Sequence, residues 1–148
     1  MARDFLKALK ERPLLLDGAR GTMLQRLGLK PGGCPDELSL TDTGMVKKVH
    51  GVYIEAGSDI VTTNTFGANR IKLKEYGLEG RLREINIAAA GCARAAAGER
   101  FVAGGIGPIG RFIEPVGDTD FASALEVFIE QAGALKAGEV DLIIIETM

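Results

Sequence analysis

Four short apolar runs recur along this chain, and each ends in polar or glycine residues before a helix-like segment. The runs cover residues 14–16, 60–62, 101–103 and 142–145. Short apolar runs separated by helical patterns are typical of buried parallel strands in successive βα units. Ligands bind at the carboxyl ends of the strands in such sheets and barrels. The pattern therefore predicts an α/β fold with its functional site at the strand tips.

The segments between the runs carry the apolar spacing and end signals of helices. The predicted helices cover residues 3–11, the stripe at Met23, Leu24 and Leu27, the segment from a cap at Thr41 or Asp42 to Gly57, residues 69–76, residues 82–97, and the segment from a cap within 118–120 to Gly138. Residues 29–40 and 108–118 hold prolines and glycines that predict loops.

Alternating strands and helices fit either an open doubly wound sheet or a (β/α)8 barrel. Residues 105–110 match the dinucleotide-binding pattern G-x-G-x-x-G, but Pro108 and Pro115 delay the next helix to about residue 119. A pyrophosphate site needs the helix to begin at once, so these glycines predict a turn that lines a pocket. The fourth run ends at Met148 with neither a covering helix nor a neighbour after it, which predicts that residues 1–148 form half of a larger unit.

Composition excludes several classes of function. A net charge of −2 gives no reason to expect nucleic acid or an anionic membrane as partner. No run reaches the ~20 apolar residues of a membrane helix, and the first residues lack a signal-peptide core, so the predicted compartment is the cytoplasm. Cys34, Cys92 and His50 cannot complete a four-ligand metal site or a disulfide framework. His50 is predicted to be a partly exposed helix residue.

The strand tips hold the candidate functional residues. Glu146 follows four apolar residues, Asp17 and Gly18 follow the first run, and Thr63 and Asn64 follow the second. Taken singly, each has a structural alternative: a solvated strand end, a turn, or the start of a loop. Brought to one barrel mouth, they would offer backbone N–H groups to a carboxylate and an acidic side chain to an ammonium. That combination suits the head of an α-amino acid.

Four segments also carry a family resemblance. Residues 16–23, 57–68, 104–108 and 141–147 resemble, in this order and spacing, the homocysteine S-methyltransferase family. The resemblance covers residues 5–148 and is strongest to the N-terminal homocysteine-binding module of cobalamin-dependent methionine synthases. It implies that residues 1–148 are the first half of a (β/α)8 TIM barrel, about four βα units, truncated after the fourth strand.

The resemblance also implies a substrate and a reaction. Homocysteine's amino-acid head would bind at Asp17, Gly18, the tip of Thr63 and Asn64, and Glu146. The complete protein would transfer a methyl group to the homocysteine thiolate, giving methionine. The expected donor is methylcobalamin, recharged from methyltetrahydrofolate by other modules, while betaine and S-methylmethionine are alternatives within the family. A non-catalytic half-barrel that pairs with itself or another chain is an alternative of a different class.

The family's zinc, which converts the substrate thiol to a thiolate, is held by three cysteines on later strands. Those cysteines lie beyond Met148, and neither Cys34 nor Cys92 matches a ligand position. We therefore expect this chain alone to bind neither zinc nor cobalamin and to be inactive. Its expected partners are homocysteine, the missing C-terminal half of the barrel, and the folate and cobalamin modules.

Overall fold

The computed structural model describes residues 4–148, and in that range three parallel strands form a sheet in the order β1-β2-β3. The strands are β1 (Ile60–Thr62), β2 (Phe101–Ile106) and β3 (Leu142–Ile145). In the parallel register Val61 pairs with Val102, and Gly104 pairs with Ile143. The α/β class with a parallel sheet is thereby confirmed.

Helices connect these strands. In the described range they are α1 (Phe5–Glu11), α2 (Arg20–Arg26), α3 (Leu38–Thr41), α4 (Thr43–Glu55), α5 (Arg70–Lys74), α6 (Leu82–Ala97) and α7 (Phe121–Ala137), with a 3-10 turn at Glu79–Arg81. The bounds of α6 are those predicted. Residue 3, the predicted start of the first helix, lies outside the described residues. The predicted loop over residues 29–40 is too long, because α3 begins within it.

Short polar side chains cap α1, α4, α5 and α7, and the caps of α4 and α7 were predicted. Asp42, the second of the two predicted candidates, accepts a hydrogen bond from the N–H of Met45. Asn69 and Asp120 cap α5 and α7 in the same way. Each cap satisfies N–H groups that the first turn leaves without a partner, so the side chain defines where the helix begins.

The predicted first strand is wrong in extent. Of residues 14–16, Leu16 alone forms a parallel bridge, to Ile60, and the N–H of Asp17 then donates to the carbonyl of Ile60 at 3.0 Å. Pro13 has no N–H to extend the pairing, and Leu15 and Leu16 are largely exposed. The segment nevertheless lies beside β1, so its tip joins the tips of the three strands.

The core lies between the sheet and α6. Val61 and Val102 pack against Ala93 and Ala97, and all four side chains are buried. Alanines on this helix face let the helix approach the sheet closely. The glycine pattern at residues 105–110 opens no helix, as predicted, since α7 begins only at Phe121. The predicted third strand is too short, because β2 continues to Ile106 and the turn begins after it.

Burial differs from prediction at β3 and at His50. The fourth run is not buried on both faces: Ile143 and Ile145 are exposed, because no described element lies beyond β3. His50 is fully buried rather than partly exposed. It lies four residues after Val46, so the two side chains share the face of α4 that packs against Leu24 of α2.

No helix among residues 4–148 has the length and apolar character needed to cross a membrane.

Candidate functional site

Asp17 lies at the tip of the segment beside β1, and its carboxylate is fixed there. One oxygen accepts the backbone N–H of Thr62 at 2.9 Å, and the other accepts the Thr62 hydroxyl at 2.8 Å. The side chain is fully buried. Burial raises the pKa of Asp17, while Arg20 and the two hydrogen bonds from Thr62 act in the opposite direction. The carboxylate therefore joins two neighbouring strand tips.

Arg20 brings Asp17 and Glu146 together, although they are 129 positions apart in sequence. Its guanidinium lies 3.5 Å from an oxygen of Asp17 and 3.3 Å from an oxygen of Glu146. The Arg20 side chain is 12% exposed and that of Glu146 is 37% exposed. Sequence reasoning missed Arg20 as a site residue. The signal that could have found it is its spacing of three residues from Asp17 at the start of a helix.

Thr63 occupies a tight hydrogen-bonded link between β1 and β2. Its hydroxyl lies 2.6 Å from the hydroxyl of Thr65 and accepts the N–H of Gly105 at 3.0 Å. The hydroxyl of Thr65 in turn donates to the carbonyl of Gly105 at 2.7 Å. The N–H of Thr63 donates to the carbonyl of Ala103. The polar groups at this tip therefore hold the two strands together.

Asn64 holds the loop before α3 against the β1 tip. Its amide donates to the carbonyl of Pro35 at 2.7 Å. The next residue of that loop, Asp36, accepts the N–H of Gly67 at 3.1 Å. Asp36 is buried, and burial raises its pKa to about 6 against the opposing hydrogen bond from Gly67. Asp36 is a second residue near the site that sequence reasoning missed.

Gly18 allows a close approach between the Asp17 turn and α4. A Cβ at this position would lie 2.9 Å from the ring of Tyr53. The Tyr53 hydroxyl donates to the carbonyl of Ala19 at 2.8 Å. Tyr53 thus packs against the turn and hydrogen-bonds to it. The N–H groups of Gly18 and Ala19 make no hydrogen bond within residues 4–148. Both residues are exposed.

His50 and Arg20 border the same interior gap, together with Asn64. Neither imidazole nitrogen has a hydrogen-bond partner among the described residues. Burial, and secondarily the charge of Arg20, lowers the pKa of His50 to about 4. The imidazole is therefore neutral at physiological pH.

The described residues do not fit a metal ion. Among residues 4–148 no group of three or more His, Cys, Asp and Glu side chains is placed to hold one. Cys34 and Cys92 are both buried, and burial raises the pKa of each thiol. The Cys92 thiol lies 3.8 Å from the carbonyl of Ser39 within the helical layer.

Comparison with known proteins relates this chain to one family. The homocysteine S-methyltransferase family matches residues 14–148. The methionine synthase of Mycobacterium tuberculosis (strain ATCC 25618 / H37Rv) is 34% identical over an alignment of 157 residues. That alignment covers 97% of this chain and 13% of the relative.

Solved structures share the fold. The homocysteine methyltransferase MmuM from Escherichia coli matches in its metallated form with a TM-score of 0.76 and 21% identity, and in its oxidised form with 0.74 and 22%. The matches cover 96% and 95% of this chain and 56% of MmuM in each case. The chain thus spans a little over half the length of these structural relatives.

Proposed function

Because this chain belongs to the homocysteine S-methyltransferase family, we propose that it binds the amino-acid head of homocysteine in a protein that methylates the homocysteine sulfur to give methionine. The observation that carries the proposal is the cluster of Asp17, Arg20 and Glu146 at the carboxyl ends of the sheet. Its two carboxylates and one guanidinium leave one negative charge in excess. A ligand ammonium would balance that charge.

In this proposal Glu146 is the residue that contacts the ammonium. Asp17 is buried and its oxygens are already occupied, whereas Glu146 is partly exposed and only one of its oxygens contacts Arg20. The exposed N–H groups of Gly18 and Ala19 lie in the adjacent turn and could receive the substrate carboxylate. Direct contact of substrate with the hydroxyl of Thr63 or the amide of Asn64 would require exchange of their present hydrogen bonds.

We further propose that the chain is the first part of a (β/α)8 barrel. Three features support this: β3 has an unpaired outer edge within the described residues, its side chains Ile143 and Ile145 are exposed, and Phe121, Leu125 and Ile129 form an exposed apolar stripe on α7. Residues spaced by four lie on one helix face. A following βα unit would pair the edge of β3 and cover this stripe.

The remaining chemistry is assigned outside residues 1–148. The family resemblance implies a zinc ion, bound by three cysteines of later strands, that turns the homocysteine thiol into a thiolate, the better nucleophile toward a methyl donor. Methylcobalamin is the donor that the resemblance to methionine synthases favours. The residues of this chain bind and orient the amino acid, and we assign them no step at the metal or the donor.

The test is Glu146→Gln in the complete gene product, titrated calorimetrically with homocysteine and with 4-mercaptobutanoate, which lacks the amino group. Loss of one charge-assisted hydrogen bond in a partly desolvated site should weaken homocysteine binding by roughly ten- to a hundredfold. The affinity for 4-mercaptobutanoate should change little. Glu126→Gln, at an exposed position of α7, is the matched control. Equal weakening of both thiols, or of neither, would contradict the ammonium contact.

A further inference from the structure

Arg20 is a largely buried cation that contacts two carboxylates, those of Asp17 and Glu146. Two hydrogen bonds from Thr62 fix Asp17, and Asp17 lies 3.5 Å from one nitrogen of the Arg20 guanidinium. The other terminal nitrogen donates to Glu146 at 3.3 Å. The guanidinium is planar and presents its donors in a rigid fork. The orientation of Asp17 is therefore transmitted to the carboxylate of Glu146.

The Glu146 side chain has few other contacts that would hold its carboxylate in one orientation. It follows the last residue of β3, its side chain is more exposed than those of Asp17 and Arg20, and Thr147 after it has a positive φ of 66°. Within the described residues its second carboxylate oxygen makes no hydrogen bond. A glutamate with several rotatable bonds loses side-chain entropy when it is held in one conformation. A pre-formed contact to Arg20 reduces the entropy that a ligand would otherwise have to offset.

We propose that Arg20 is a positioning residue that holds Glu146 in the orientation that receives the amino group of an amino-acid thiol. The inference rests on the proposed function and adds to it a residue outside the predicted substrate contacts. Arg20 does not contact the reacting sulfur. It acts through Glu146, and it also prevents the two carboxylates from repelling each other across the site.

Three thiols separate this role from its alternatives. Homocysteine carries both an ammonium and a carboxylate, 3-mercaptopropylamine carries the ammonium alone, and 4-mercaptobutanoate carries the carboxylate alone. The variant is Arg20→Met in the complete gene product, and each affinity is measured by titration calorimetry. Arg26→Met, at the exposed end of the same helix, is the matched control.

We expect Arg20→Met to weaken homocysteine and 3-mercaptopropylamine about tenfold and to change 4-mercaptobutanoate by less than about twofold. Arg20→Lys should recover part of the loss, because an ammonium can contact Glu146 but cannot bridge two carboxylates with a fixed fork. Arg26→Met should leave all three affinities unchanged.

Two outcomes would overturn the inference. If 4-mercaptobutanoate weakens and 3-mercaptopropylamine does not, Arg20 binds the substrate carboxylate directly. If all three thiols weaken equally, or none does, Arg20 has no part in orienting Glu146. Failure of the unsubstituted protein to bind homocysteine is a separate result, since it would overturn the proposed function itself.

Discussion

Replacing His50 with leucine should remove a pH-dependent loss of stability from this chain. His50 is fully buried on α4, and neither of its nitrogens has a hydrogen-bond partner among the described residues. Burial lowers its pKa from 6.5 to about 4. Leucine has a similar volume and no polar atom, so the substitution removes the titrating group while the packing against Val46 and Leu24 is largely kept.

The sign and the size of the His50 effect on the free energy of unfolding follow from proton linkage. As pH falls below 6.5 the unfolded chain binds a proton at His50 and the native chain does not, so the free energy of unfolding falls. Each pH unit in that window costs about 1.4 kcal/mol. Between pH 6.5 and 4.5, His50→Leu should therefore gain about 2 kcal/mol relative to the unsubstituted chain, because the full slope applies only between the two pKa values. Above pH 7 the difference between the two chains should be constant.

Asp36→Asn should show the opposite trend. The pKa of Asp36 is raised from 3.8 to about 6, so as pH rises through this window the unfolded chain releases its proton first and the native chain loses stability. Asparagine can still accept the N–H of Gly67 through its amide oxygen. The variant should gain about 2 kcal/mol relative to the unsubstituted chain between pH 4 and 6.

The assay is urea unfolding of the 148-residue chain at half-unit steps from pH 4 to 8, at a protein concentration where light scattering detects no association. The chain contains no tryptophan, so far-UV circular dichroism is the probe. Each variant curve is subtracted from the unsubstituted curve, which removes the contributions of all other titrating groups. A His50→Leu difference that stays constant from pH 4.5 to 6.5 would show that His50 is not buried in its neutral form. A difference of the wrong sign for Asp36→Asn would refute its burial in the same way.

Two further predictions concern packing. In the urea assay, Gly105→Ala should destabilise the chain by about 1–3 kcal/mol, because its Cβ would lie 2.8 Å from the methyl group of Thr62. Gly21→Ala lies in α2 with open space around it and should instead stabilise the chain by about 0.5–1 kcal/mol. The chain alone should dimerise or aggregate through β3 and the stripe on α7, and Ile129→Lys should reduce this in light scattering. A monodisperse monomer with a cooperative melt would contradict that expectation.

The helices were predictable where local chemistry determines them. The stripe of α6 and the glycine after it gave the bounds Leu82–Ala97, and the polar caps Asp42, Asn69 and Asp120 mark the starts of three helices. These signals depend on residues within one turn of each other. The first strand was overestimated, because an apolar run does not reveal how much of its edge finds a partner.

The candidate site residues were predictable in part, because local sequence signals mark the ends of strands. A polar residue after an apolar run marks a strand tip, which located Asp17, Thr63 and Glu146. The hydrogen-bond partner of each residue could not be predicted from the sequence, because the partners are far apart along the chain. Arg20 and Glu146 are separated by 126 positions, and Thr65 and Gly105 by 40. The burial of His50 depends on α2 packing against α4, which is also a long-range event. Sequence pattern indicates which residues are unusual, while the fold determines what they contact.

One polar network connects all four strand tips, and this explains why each tip alone was ambiguous. Asp17 is bonded to Thr62, the neighbouring Thr63 is bonded to Gly105, and Arg20 closes the series from Asp17 to Glu146. Two strands, β1 and β2, separate the segment that ends at Asp17 from β3, and the two terminal nitrogens of Arg20 contact the carboxylates at both ends of this series. A shorter residue at position 20 would leave two carboxylates without a shared cation. In the proposed function, the Asp17 carboxylate would therefore affect ligand binding through Arg20 and Glu146, because its own oxygens accept hydrogen bonds from Thr62.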